Sequence, residues 1–354
     1  MTDIASSPAR HLPLQKLHHH WRARFEVRDG VKVAAAYGPI DGEYAALREG
    51  CGLLDRSDVA RLELMGEDRV RFLNGLVTCD VKALAAGEGA YGYFTDRQGK
   101  ILADVVVLAL EDRLWLELPP SVGEAIRVHL QKYIIADRVE VMPLDDLVLW
   151  TLAGPRARDL VESLVSEAPP EALWSHRKLS VAGSEVQIAR QGRMGTDAWT
   201  LWCSASIGRP LAESLLERGG AFGLRPVGVE AADIVRIEEG VARFGQDFGP
   251  QNFPQEVGES ASVSYTKGCY LGQEIVARIH YRGGVNYKLV RIAGASPSPP
   301  AAGSVLSSGD VEVGRITSAA VSPVEGPVAL AMLHKRGWEA AMFAVAGGGE
   351  ARLR

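Results

Sequence analysis

A cysteine bracketed by glycines and followed at short range by a helix start is a residue pattern suited to chemistry. The segment Lys267-Gly268-Cys269-Tyr270-Leu271-Gly272-Gln273-Glu274 follows the polar residues Ser262, Ser264 and Thr266. Gly268 and Gly272 permit tight turns and close approach by another molecule. The pattern predicts a helix opening at Gly272 and running toward Arg278, with Cys269 just ahead of its N-terminus. Unpaired N–H groups there, and the Lys267 charge two residues away, favour the thiolate, the form that attacks electrophiles or binds metal. Cys51, Cys79 and Cys203 stand in apolar or strand-like contexts and read as core residues. The four cysteines form no Cys-x-x-Cys pair and no disulfide framework, which points to a reducing cytoplasm.

Other candidate groups are acids, arginines and aromatics on expected strands and helices. Tyr91 and Tyr93 alternate along a strand and can wall a flat ring, or pack as ordinary core aromatics. The run His18-His19-His20 invites a metal reading, but consecutive histidines on a helix point in different directions. It reads as a polar lead-in without a chelating role, and no metal site is expected.

The elements that position these groups mix strands and helices. A helix is expected over residues 42–49, a strand over 59–64 with apolar and polar residues alternating, and a helix over 67–76. Strands follow at 90–95, 100–110 and 113–118, with turns at Asp96-Arg97-Gln98-Gly99 and Glu111-Asp112. Ser121 is placed to cap a helix reaching Ile134. A second unit begins at 147–153, continues through a helix near 156–166, strands at 184–190 and 198–203, and helices at 209–219 and 232–238. Residues 293–303, rich in Ala, Ser and Pro, read as a loop, and strands at 311–317 and 328–333 suggest a small β domain. The fold class is α+β.

The chain has 354 residues, 47% hydrophobic and 23% charged, with a formal charge of −5. That length supports two or three domains. The absence of a basic excess argues against a general nucleic-acid binder, and no apolar run is long enough to cross a bilayer. Residues 1–17, broken by Asp3, Pro8, Arg10, His11 and Pro13, lack the pattern of a secretory signal.

The string Lys267-Gly268-Cys269-Tyr270-x-Gly272-Gln273-Glu274, with Arg278 four residues on, resembles the signature of the YgfZ family of folate-binding proteins. That family is similar to the T-protein of the glycine cleavage system, an aminomethyltransferase. Leu73-Asn74-Gly75-Leu76-Val77-Thr78-Cys79-Asp80-Val81 resembles the T-protein helix end, and Arg236-Ile237-Glu238-Glu239-Gly240 with Gly245-Gln246-Asp247 is similar to its Arg-Leu-Glu stretch. Residues 322–333 resemble the end of its C-terminal barrel. The resemblance implies a T-protein-like three-domain ring: an N-terminal α+β domain over 12–140, a second over 141–245, a motif segment over 246–290 that returns to them, and a C-terminal β-barrel over 291–354. It implies tetrahydrofolate as the cofactor, held by Arg236, Glu238, Asp197, Tyr91, Tyr93, Lys267, Gln273 and Arg278.

The same resemblance implies a role in assembling or repairing iron–sulfur proteins, which would be the protein partners. A lone Cys269 cannot itself hold a cluster, which takes about four ligands. Two departures from the T-protein pattern bear on the choice of function. Gly99-Lys100-Ile101-Leu102-Ala103-Asp104 keeps one acid where T-protein has a pair, and Thr196 stands where a pterin-gripping Glu is expected, leaving Asp197 as its substitute. The leading expectation is therefore a folate-binding accessory factor working through Cys269. The alternative is a folate-dependent aminomethyl or one-carbon transferase with Asp104 as general base, and a third is a scaffold that binds partners through its β domain.

Overall fold

A computed structural model describes residues 9–258, 260–294 and 301–354. Alternation of large apolar and polar residues builds two sheets that face each other. The first has the strand order Gly89–Thr95, Ile101–Ala109, Arg113–Leu118, Ala60–Met65, Glu140–Pro143. The second runs His176–Val181, Ser184–Gln191, Ala198–Ser204, Leu147–Ala153, Cys51–Asp55, Leu224–Pro226.

Both sheets follow one connectivity. A first strand leads through a helix, Arg69–Asn74 or Ala157–Leu164, into a three-stranded antiparallel meander whose last strand pairs back with the first. A second helix, Gly123–Tyr133 or Ala205–Arg218, then precedes a short edge strand. The repeat of this order is a property of the topology that no short-period pattern in the sequence carries.

In Ala60–Met65, Leu62 and Leu64 fall in one core cluster as alternation predicts, yet Arg61 and Glu63 are buried as well. The polar face of the strand does not meet water, because the second sheet covers it. Trp115 and Trp202 stack across the two sheets at 5.3 Å between ring centroids. A further cluster including Tyr93, Leu149, Phe244, Phe248 and Val276 fills the space between the sheets and the returning segment.

Three expectations change here. Cys51–Asp55, to which no element was assigned, is a strand of the second sheet, paired antiparallel with Leu147–Ala153. Its five residues Cys-Gly-Leu-Leu-Asp show no alternation because both faces are covered. Ser121 does not cap the helix Gly123–Tyr133, whose N-cap is Val122 with no side-chain bond. His18 is not part of a polar lead-in: it is fully buried, with Nε2 2.7 Å from Asp55 Oδ2 and Nδ1 2.7 Å from the Tyr37 hydroxyl.

A three-stranded sheet, Arg10–His11, Val31–Ala36 and Arg24–Arg28, lies beside the helix Val229–Glu238. The C-terminal part is a closed six-stranded barrel, Tyr287–Gly294, Gly326–His334, Val311–Ser322, Val305–Ser308, Phe343–Val345 and Glu350–Leu353. Of the loop expected over 293–303, residues 295–300 lie outside the described residues. Among the described residues no helix is long and apolar enough to cross a membrane, and no cluster of three or more His, Cys, Asp or Glu is arranged to hold a metal ion.

Candidate functional site

The strands that carry Asp104 and Glu117, the turn after Cys51–Asp55 and the helix Val229–Glu238 enclose a cavity of about 170 Å³. Asp104 sits in its wall, 9% exposed. The Tyr91 hydroxyl donates to Asp104 Oδ2 at 3.0 Å, while Oδ1 is buried with no hydrogen-bond partner. Arg193 lies 3.6 Å from the same carboxylate, beyond hydrogen-bond range, with its guanidinium over the Tyr91 ring at 4.5 Å. Tyr91 is in turn stacked on Trp174 at 5.8 Å. The result is an acid held in one orientation by a phenol, with one oxygen buried and unpaired, beside an aromatic wall.

Arg236 also reaches the cavity wall, but its hydrogens are spent inside the protein. Nε donates to Asp233 Oδ1 at 2.7 Å, Nη1 to Asp247 Oδ2 at 2.8 Å and Val241 O at 3.1 Å, and Nη2 to Ser318 Oγ at 2.8 Å. It ties a helix of the central body to the barrel strand Val311–Ser322. Burial pushes the Asp233 carboxyl up, but Arg236, Arg28 and Arg243 outweigh it and hold the group below its ordinary range.

The remaining expected binding residues lie elsewhere. Tyr93 is fully buried, its ring edge-on to Tyr91 and Phe248, and does not line the cavity. Glu238 is fully buried and accepts from the Tyr44 hydroxyl at 2.9 Å and from Arg48 Nε at 2.9 Å, which clamps two helices together. Asp197 pairs with Arg190 at 2.5 Å on the outer side of its turn, with half its side chain exposed.

The motif segment docks on the end of the helix Arg69–Asn74. Lys267 is buried and donates to the carbonyls of Asn74 at 2.7 Å and of Val77 and Cys79 at 2.6 Å each. Its three hydrogens fill three acceptors, so it serves as a clamp and does not face the thiol chemistry expected of it. Burial pulls its ammonium down to about 8. Lys267→Met is expected to leave three carbonyls unpaired and to cost about 3 kcal/mol or more, measured by chemical denaturation.

The expected helix is present as Gln273–Arg282, capped by Gly272 with φ +83°. A Cβ at 272 would stand 2.3 Å from Asp96 O, so glycine is required on both counts. Cys269 is exposed, in a shallow depression shared with Gly75, Arg97, Tyr133 and Gln273. None of the residues of this depression lines the central cavity. Arg278 is exposed farther along the helix. Burial pushes the other three thiols up, to about 12 for Cys51 and Cys203 and about 11 for Cys79.

Sequence reasoning thus found Asp104, Tyr91 and Arg236 of the cavity and missed Arg56, Asp58, Glu117, Arg193 and Arg243. Arg56-Ser57-Asp58 directly follows a buried strand, and two opposite charges at such a position were the available signal. Glu117 is a polar residue in an alternating strand and is indistinguishable, from sequence, from a solvent-facing one.

A held carboxylate thus lies in the wall of a ring-walled cavity, in a chain of two α+β units of one connectivity and a β-barrel. Comparison with known proteins makes the assignment narrower. The chain belongs to the GCVT N-terminal domain family, which matches residues 14–267. It is similar to the aminomethyltransferase of Saccharopolyspora erythraea, 26% identical over 93% of this chain and 91% of that one. Likewise it is 29% identical to the aminomethyltransferase of a Nostoc species, over 94% and 90% of the two chains. The crystal structure of glycine cleavage system aminomethyltransferase T from Bartonella henselae superposes with a TM-score of 0.87 at 25% identity, covering 98% of this chain and 96% of that one. The fold is T-protein-like.

Proposed function

We propose that the central cavity binds tetrahydrofolate and that the protein is a folate-dependent transferase of the aminomethyl, one-carbon type. The observation that carries this reading is the placement of Asp104: in the cavity wall, oriented by Tyr91, with one oxygen left without a hydrogen-bond partner. The cavity wall suits a pterin in kind. Tyr91 and Phe244 supply ring faces against which it can pack. Tetrahydrofolate, when bound, supplies the nitrogen that accepts the one-carbon unit. Asp104 takes or returns the proton that the exchange requires. Tyr91 fixes which oxygen does so, and the closing aromatic wall excludes water. The relatives named aminomethyltransferase support this reading over one confined to binding.

The test is calorimetric titration with tetrahydrofolate, followed by incubation with amine donors and assay for methylenetetrahydrofolate. Binding with donor-dependent product formation is expected. Absence of binding would overturn the proposal.

The exposed Cys269 in its own depression favours a second reading, in which the protein is of the YgfZ type and acts on iron–sulfur proteins in a reducing cytoplasm. Cys269 then works on a face separate from the folate cavity. Full complementation of a cluster-dependent enzyme by both Cys269→Ala and Cys269→Ser under oxidative stress would remove the thiol from any such role.

A further inference from the structure

A buried chain of three titratable side chains backs the cavity, separate from Asp104. Tyr37 and Asp55 both lie in the cavity wall, and His18 is sealed behind them with no exposure to solvent. His18 comes from the helix Gln15–His20, Tyr37 follows the strand Val31–Ala36, and Asp55 ends the strand Cys51–Asp55. Trp21, Trp150 and Tyr37 surround the imidazole, with ring centroids 6.0, 5.9 and 6.0 Å from it. Asp55 Oδ2 is 2.7 Å from His18 Nε2, and the Tyr37 hydroxyl is 2.7 Å from His18 Nδ1.

The direction of each bond follows from what the groups can donate. An ionised carboxylate only accepts, so the hydrogen between Asp55 and His18 sits on Nε2. The neutral ring then offers Nδ1 as an acceptor, and the Tyr37 O–H donates to it. Asp55 Oδ1 accepts from the Ser57 backbone N–H at 2.8 Å, which fixes the carboxylate. Carboxylate, imidazole and hydroxyl in this order are the arrangement that draws a proton off a hydroxyl in serine hydrolases, here with a phenol as the outer member. With its hydrogen committed to His18, the phenol presents lone pairs to a ligand. Burial, reinforced by Asp55 and Glu43, holds the Tyr37 phenol well above its ordinary value, so the chain does not come to rest as a phenolate. Arg61 and Cys203 also lie within reach of the Asp55 charge, while His19 and His20 on the same helix as His18 are exposed.

We infer that Tyr37, His18 and Asp55 form a proton relay, with Tyr37 the group that meets the ligand and His18 the group that stores the proton. This rests on the folate-dependent transferase reading. Moving a one-carbon unit between two nitrogens takes a proton from the accepting nitrogen and gives one to the departing nitrogen, at two separate atoms. Asp104 handles one of them and the relay the other. As a ligand N–H proton bonds to the Tyr37 oxygen, the phenol's own proton passes to His18 Nδ1. The phenol is neutral before and after, His18 becomes an imidazolium, and Asp55 balances that charge without being protonated. The reverse passage returns the proton.

The experiment compares the pH dependence of kcat/KM with the titration of His18 followed by nitrogen NMR, and adds a tetrahydrofolate titration of each variant. Wild type is expected to lose activity as the pH falls through the His18 midpoint, because a filled store accepts nothing more. Tyr37→Phe keeps the ring and is expected to lower kcat about 10²-fold, to abolish that acid limb and to leave tetrahydrofolate affinity nearly unchanged. Asp55→Asn keeps an acceptor for the Nε2 hydrogen but removes the counter-charge, and should move the limb to lower pH. It carries the test alone if Tyr37→Phe does not fold. A chain that only braced the fold would lower stability in both variants and leave the pH profile in place. No wild-type limb at the His18 midpoint, a limb that survives Tyr37→Phe, or one that Asp55→Asn does not move would overturn the relay and leave the folate reading standing. If wild type binds no tetrahydrofolate or turns over no donor, the underlying reading falls, and the relay with it.

Discussion

Asp104→Asn is expected to lower turnover with an amine donor by about 10²–10⁴-fold while leaving tetrahydrofolate affinity nearly unchanged. The asparagine side chain matches aspartate in shape, and its amide oxygen can accept the Tyr91 hydroxyl as Asp104 Oδ2 now does at 3.0 Å. What it cannot do is take a proton. A fall in kcat with a constant folate dissociation constant therefore isolates proton handling from binding. Tyr91→Phe should show a smaller loss, because the carboxylate is kept and only its orientation is released. If Asp104→Asn turns over at the wild-type rate, the acid is a structural partner of Tyr91 and the transferase mechanism needs another base.

The largest expected effect on stability belongs to Arg236→Met, at about 3–5 kcal/mol. The Asp247 side chain is fully buried. It accepts from Arg236 at 2.8 Å, the Arg243 backbone N–H at 2.9 Å, and the Thr317 and Ser318 hydroxyls at 2.6 Å each. Without the guanidinium, that carboxylate has hydrogen bonds but no counter-charge. Asp233 is less exposed to the loss, because Arg28 remains 2.9 Å from it. Chemical denaturation of Arg236→Met against wild type measures the cost. The double variant Arg236→Met with Asp247→Asn should recover part of it, since the amide removes the unpaired charge while its oxygen still accepts from Thr317 and Ser318. Equal stability of the single variant and wild type would mean that the ion pair does not brace the barrel.

The motif segment was legible because its information is local. The positive φ at Gly272, the helix after it and the cysteine before it follow from neighbours within ten residues, although the close approach of Asp96 to Gly272 does not. The role of Lys267 was not, because its three acceptors lie 188 to 193 residues away in sequence. Several strands were read almost to the residue, including Arg113–Leu118 and Leu147–Ala153, where apolar periodicity is strong, whereas His176–Val181 was missed. What periodicity cannot tell is what covers the second face of a strand. Arg61, Glu63 and Glu117 look solvent-facing by pattern and are covered because another sheet lies against them. The cavity was half-read for that reason: Asp104 was reached through the resemblance to the T-protein pattern, whereas Glu117 had no such pointer and sat in polar company. His18 shows the same limit, since its partners Tyr37 and Asp55 belong to different elements.

The distribution of sulfur has a practical corollary. With three thiols shut away and one open at position 269, a maleimide dye added to the native protein would attach at a single address. Because that address shares no residue with the central cavity, such a conjugate would report on encounters at the outer face and leave the cavity unlabelled.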